Sequence, residues 1–151
     1  MNEKYMKIAF EEAKQAFIED EVPIGCVIVK NDVILAKAHN RKEQFKLSLA
    51  HAEILAIKQA CEQVAEKYLN DCDLYVTLEP CMMCMGAIIQ ARIKNVYFAT
   101  TDPKSGAAIS SIRITDIPKL NHYPLVYEGM MKEESSMLLK QFFKAKRNKN
   151  S

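Results

Sequence analysis

Two short apolar runs three residues apart, followed by alternating helical and extended patterns, constrain this chain more than any other feature. Residues 24–29 (IGCVIV) follow Pro23 and read as a strand. The turn KND (30–32) leads into VILAKA (33–38), which reads as the returning strand. From His51 the period changes, and Ile54, Ile57, Cys61, Val64 and Tyr68 fall on one helical face with charges on the other. DLYVTL (73–78) and NVYFAT (95–100) are rich in β-formers, and the short uncharged segment 82–91 between them reads as a helix. Residues 2–19 place Tyr5, Ile8, Ala9, Ala13, Ala16 and Phe17 at helical spacing. PLVYEG (124–129) reads as a fifth strand, and 131–147 as a last helix ending in a basic tail. This order predicts an α/β protein: a mixed five-stranded sheet with helices on both faces, a three-layer α/β/α arrangement.

The 151 residues suit one domain with one core, so residues 1–151 are read as a single domain with a basic C-terminal end at 140–151. A net charge of +2 is too mild to identify a nucleic-acid binder, so any such role depends on where the charges lie. The N-terminus carries no apolar signal-like core, and no uncharged run approaches the roughly 18–20 residues of a membrane span. Five cysteines, an odd number without cystine-like spacing, fit a reducing compartment. A soluble cytoplasmic protein with no membrane association is expected.

The chemistry gathers at LEPCMMCMGA (78–87). Cys81 and Cys84 follow Pro80, a residue suited to a helix start, and thiolates three apart on a helix reach the same ion. His51 opens the preceding helix. If both helices begin at one edge of the sheet, their positive dipole ends converge and favour thiolates and a carboxylate. One His and two Cys give three protein ligands with a fourth position open, the pattern of catalytic zinc. Zinc lowers the pKa of a bound water to roughly 7. Glu53, two residues after His51, can reach the same ion only if both stand in the first helical turn, and there it is placed to take and pass a proton.

Blander readings exist for each residue. A lone C-x-x-C also serves as a redox pair or as two buried thiols, but neither explains His51 and Glu53. A structural zinc ribbon needs a second C-x-x-C, which the chain lacks. Cys26, Cys61 and Cys72 have no metal-spaced partner and read as packing residues. Asn40 serves equally as a turn residue or as an amide that both donates and accepts.

H-x-E at 51–53 followed by P-C-x-x-C at 80–84 resembles the signature of the zinc-dependent cytidine and adenosine deaminase superfamily. EVPIGCVIV, AHAEILAI, LYVTLEPCMMCMGAII, DPKSGAA and FFKAKR are similar, in order and spacing, to the tRNA-specific adenosine deaminases over roughly residues 3–147. The resemblance implies a cytidine-deaminase-like fold and one zinc per subunit held by His51, Cys81 and Cys84. It implies that Glu53 shuttles protons while hydroxide attacks C6 of the wobble adenosine at position 34, giving inosine and ammonia. Asn40 would bind the purine, and the backbone N–H of Ala52 would hold the oxygen being formed. The substrate implied is the tRNA anticodon stem-loop and the assembly a homodimer paired across the helix at 82–91.

For RNA contact the resemblance points to Asp102, Lys104 and the C-terminal helix. Composition supports it: Lys140, Lys144, Lys146, Arg147 and Lys149 have no acidic residue among them, and Phe142 and Phe143 are interleaved. Cations meet phosphates and rings stack on bases, which places Phe143, Lys144, Lys146 and Arg147 with Asp102 and Lys104 as RNA contacts. The same basic residues also suit a solvated helix end. Leu47, Ser48 and Leu49 depart from the usual acidic or amide residue, proline and Ser/Thr before AHAE, with Ser48 a candidate helix cap, and Ile109 stands where a small residue is common. Two rivals remain: a deaminase of free guanine or cytosine with the same zinc chemistry, and a zinc-stabilised RNA-binding module without turnover.

Overall fold

A computed structural model describes residues 2–149; Met1 and the last two residues of the predicted domain and basic tail lie outside the described residues. The chain forms α1 (Glu3–Ile18), β1 (Gly25–Lys30), β2 (Val33–His39), α2 (Lys42–Phe45), α3 (Ala52–Val64), β3 (Asp73–Leu78), α4 (Met82–Gln90), β4 (Asn95–Thr100), a single 3-10 turn (Ile114–Asp116), β5 (Leu125–Glu128) and α5 (Lys132–Lys149). The sheet runs β2-β1-β3-β4-β5. Strand β1 is antiparallel to β2 and to β3, whereas β3, β4 and β5 are parallel. This is the expected mixed sheet in three layers.

Strand alternation divides the core in two. Cys26, Ile28, Leu74, Val76, Val96 and Phe98 face α3 and α4. Val27, Val29, Tyr75, Tyr97 and Ala99 face the other way, onto Tyr5, Met6 and Ala9 of α1. On that second face Tyr75, Tyr97 and Tyr127 stack across β3, β4 and β5 with ring centroids 4.6 and 4.9 Å apart, and Tyr5 tilts against Tyr75 at 5.5 Å. Gly25 sets how closely α1 approaches β1: a Cβ there would lie 1.9 Å from the Ala9 carbonyl oxygen. Asn2 caps α1 by accepting the Lys4 N–H at 3.0 Å.

Helix α3 differs from its sequence reading. Its buried stripe is Ala52, Ala56 and Ala60 with Glu53, while Ile54, Ile57, Cys61 and Val64 are half-exposed beside it. Alanines let the helix axis lie close to the sheet, and the larger side chains then splay to the rim of the contact. Tyr68 lies beyond the helix, which ends at Ala65 in a left-handed cap. Ser48 is not the cap of α3; that position belongs to His51, because the chain extends through residue 51 before turning. The one-turn helix α2 has no counterpart in the sequence reading. It stands where it does because the buried Glu21 carboxylate accepts the N–H groups of Glu43 and Gln44, at 3.1 and 2.8 Å.

Candidate metal centre and active site

Helices α3 and α4 begin beside each other, at the same edge of the sheet. His51 and Cys81 occupy their N-cap positions in extended conformation, and neither side chain caps its own helix. Both are therefore aimed outward past the helix ends. Cys84 follows in the first turn of α4 and is fully buried. His51 Nδ1 lies 3.8 Å from Cys81 Sγ and 3.4 Å from Cys84 Sγ. One ligand atom from each of the three falls within 4.8 Å of the others. The five cysteines are free thiols, so Cys81 and Cys84 are not joined to each other.

These separations fit a tetrahedral ion. Zinc–sulfur bonds of about 2.3 Å and zinc–nitrogen bonds of about 2.05 Å place N and S about 3.5 Å apart. Two soft thiolates and one imidazole select zinc over hard cations such as magnesium or calcium. The two thiols differ: the hydrogen bond from the Cys84 thiol, together with His51, pulls Cys81 down to about 3, whereas that same hydrogen bond and burial push Cys84 well above the usual thiol range. The hydrogen bond to Cys81 in turn raises His51.

Glu53 is the second residue of α3, 4% exposed, and its carboxyl interacts with the Cys84 thiol. Burial raises it to about 7. The first helical turn thus brings His51 and Glu53 to one point despite their spacing of two. Asn40 is also buried, immediately after β2, and its Oδ1 accepts the Ala52 N–H at 2.8 Å. That bond differs from the sequence expectation for Ala52. Its N–H, expected to hold the reaction oxygen, is spent on Asn40, and the effect is to fix the Asn40 amide with its NH2 donors turned away.

The expected RNA-contact residues divide into two groups. Asp102, Lys104 and Phe143 line one cleft with Pro103, Ser105 and Leu139. Within it Asp102 Oδ1 accepts the N–H groups of Lys104 and Ser105, each at 3.2 Å, so this carboxylate builds a turn. Phe143 is 44% exposed, whereas Phe142 is buried edge-on against Phe17 with centroids 5.9 Å apart. Lys144 and Arg147 are exposed, and Lys146 pairs with Asp20, in the turn just past α1, at 2.9 Å. Its charge is thus already opposed, for a reason the sequence hides: Asp20 lies 126 positions away.

Sequence reasoning missed two buried polar groups beside the site. His39 joins β2 to α1, with Nδ1 2.9 Å from Glu12 and Nε2 3.1 Å from Glu19. Glu79, two residues before Cys81, is 2% exposed and accepts hydrogen bonds from Asp102, Ala108, Ile109 and Ser110. The only signal for Glu79 was a carboxylate closing an apolar strand just before proline.

The fold and this cradle are those of a deaminase, and the family model for MafB19-like deaminases matches residues 1–147. A tRNA-specific adenosine deaminase of Aquifex aeolicus is 49% identical over 146 residues, 97% of this chain and 96% of that one. Its counterpart in Bacillus subtilis is 43% identical over 148 residues, covering 98% and 92%. The chain belongs to the family of tRNA-specific adenosine deaminases. A solved tRNA:A34 deaminase, studied for A-to-I editing at the wobble position of transfer RNA, superposes with a TM-score of 0.88 at 42% identity, covering 91% of this chain and 99% of that one. The guanine deaminase of Nitrosomonas europaea shares the fold alone, at a TM-score of 0.81 and 22% identity over 94% of this chain and 84% of that one.

Proposed function

We propose that this protein hydrolytically deaminates adenosine to inosine at position 34 of tRNA, with His51, Cys81 and Cys84 holding one zinc ion. The observation that carries the reading is the meeting of these three side chains at two helix N-termini beside a buried Glu53. Zinc bound there supplies Lewis acidity, which makes hydroxide available at neutral pH. The chain's own residues do the rest. Glu53, held by burial near pH 7, accepts a proton from water and delivers protons to the purine ring nitrogen and to the departing amine. Asn40, clamped by the Ala52 N–H, presents amide donors to acceptor atoms on the purine. The exposed Phe143 ring and the cations Lys104, Lys144 and Arg147 offer a stacking surface and phosphate partners for a splayed anticodon loop.

Two further parts of the reading concern assembly and place. Helix α4 carries no charge, exposes Met82 at 62% and leaves open space around Gly86, which supports pairing of two copies across this helix. No helix among the described residues is long and apolar enough to cross a membrane, and five free thiols support a protein of the reducing cytoplasm. The deciding experiment incubates the zinc-loaded protein with a tRNA bearing adenosine 34 and reads inosine as guanosine after reverse transcription. Conversion is expected; folded, zinc-loaded protein that leaves the tRNA unchanged but releases ammonia from guanine or cytosine would replace this reading with a free-base deaminase.

A further inference from the structure

The loop joining β4 to β5 has no strand or long helix of its own, yet its backbone is tightly held. Its donors converge on one carboxylate. Glu79 Oε1 accepts the Asp102 N–H at 3.0 Å and the Ser110 hydroxyl at 2.5 Å. Oε2 accepts the N–H groups of Ala108, Ile109 and Ser110 at 3.1, 2.7 and 2.9 Å. The next two residues continue the join: the Pro80 carbonyl accepts the Ala107 N–H at 2.8 Å, and Cys81 bridges to Gly106. Gly106 is required by this packing, since a Cβ there would lie 2.3 Å from the Glu79 carboxyl carbon. Among the described residues no Lys, Arg or His forms an ion pair with Glu79, so neutral loop donors alone compensate a buried charge.

A buried carboxylate with five donors is a costly way to anchor a loop unless its geometry matters. One side of the anchor is the candidate metal ligand Cys81, and the other is the Asp102–Lys104 turn, which faces the Phe143 cleft. We propose that Glu79 is a positioning residue: its carboxylate fixes the Asp102–Lys104 turn relative to Cys81, and so sets where the RNA lies relative to the reacting base. The proposal rests on the tRNA reading above for its substrate, but not for the anchoring itself.

Glu79→Gln separates this role from plain bracing. The amide keeps one acceptor oxygen, which best serves the three donors now on Oε2. Its NH2 group then faces the Asp102 N–H, and two donors meet. The Ser110 hydroxyl can rotate to accept, but the Asp102 N–H cannot. The substitution therefore releases the turn while leaving 108–110 attached.

The test uses zinc-loaded full-length protein and two measurements. Hydrogen exchange followed by mass spectrometry should show residues 101–105 exchanging about tenfold faster in Glu79→Gln, with α4 unchanged. On an anticodon stem-loop RNA, KM should rise about tenfold with kcat within about threefold, and Glu79→Gln should add nothing in a Lys104→Ala background. Ser110→Ala, a milder change, should move KM in the same direction by about twofold, so the proposal stays testable if Glu79→Gln folds poorly. Unchanged exchange at 101–105, a loss confined to kcat, or full additivity with Lys104→Ala would each overturn it. Wild-type protein that leaves the RNA unconverted, with the exchange result intact, would instead sink the tRNA reading.

Discussion

Asn40 Oδ1 lies 2.8 Å from the Ala52 nitrogen, so a backbone donor next to His51 determines which way a buried side-chain amide faces. Asn40→Asp keeps an acceptor for Ala52 but has no donors to offer a purine. It should fold normally and lose about a hundredfold in kcat/KM on anticodon stem-loop RNA, because the substrate's acceptors are left unpaired. Unimpaired kcat/KM in this variant would show that the Asn40 NH2 group faces no substrate atom.

Glu53 offers a separable test. Glu53→Gln preserves the size of the buried group but cannot carry protons. Zinc content should stay near one per chain while kcat falls about 10³-fold, the usual scale of general acid–base catalysis. Metal analysis beside single-turnover kinetics reads both quantities.

Metal removal should expose an asymmetry between the two thiols. Cys84 is fully buried whereas Cys81 is half-buried. Chelated protein should be alkylated first at Cys81, and restoring zinc should block that reaction; mass spectrometry of the labelled peptides gives the order. His51→Ala should bind zinc at least about tenfold more weakly and lose deamination with it.

The His39 clasp gives a pH signature in stability. Its hydrogen bond to Glu12 first, and then that to Glu19, raises His39 above its ordinary 6.5 despite opposing burial. A raised histidine contributes stability that is fully present below 6.5 and is lost as pH rises through the higher folded value. Glu19 is lowered from 4.5, mainly by Gln15 and then by His39, so its share is present above 4.5 and is lost as pH falls through the lower folded value. Between 4.5 and 6.5 both contributions are complete. His39→Gln should therefore cost more stability at pH 5.5 than at pH 8.5 in urea melts. An equal cost at both values would show that the clasp carries no charge.

Phe142 and Phe143 are neighbours in sequence with opposite surroundings, 6% and 44% exposed. Phe142→Ala should cost about 3 kcal/mol, or roughly 10 °C in Tm, from the cavity it leaves against Phe17. Phe143→Ala should change stability by less than about 0.5 kcal/mol but weaken stem-loop binding about tenfold through lost stacking. Calorimetry and fluorescence anisotropy on the two variants distinguish these outcomes.

Much of the architecture was legible because it rests on local patterns. DLYVTL and NVYFAT become β3 and β4 over the residues read from composition. The H-x-E and P-C-x-x-C segments could be brought together on paper because helix N-termini tend to share a sheet edge. What sequence hid was decided by distance. The alanine stripe of α3 was obscured because close packing favours its smallest residues over its larger ones. Met6, fully buried, fell outside the expected stripe of α1. Glu21, His39 and Glu79 carry no legible role in the sequence because their partners lie from 20 to 31 positions away, and the donors to Glu21 and most of those to Glu79 are backbone N–H groups that carry no residue signature.

The stacked tyrosines have a practical consequence. The chain has no tryptophan and six tyrosines, and four of the six form the Tyr5–Tyr75–Tyr97–Tyr127 array on the sheet face away from α3 and α4. Ultraviolet emission and near-ultraviolet dichroism of this protein therefore arise largely from one wall. They report the docking of α1 while staying nearly blind to events at His51, Cys81 and Cys84, which makes them a built-in control for whether a damaged centre has taken the scaffold down with it.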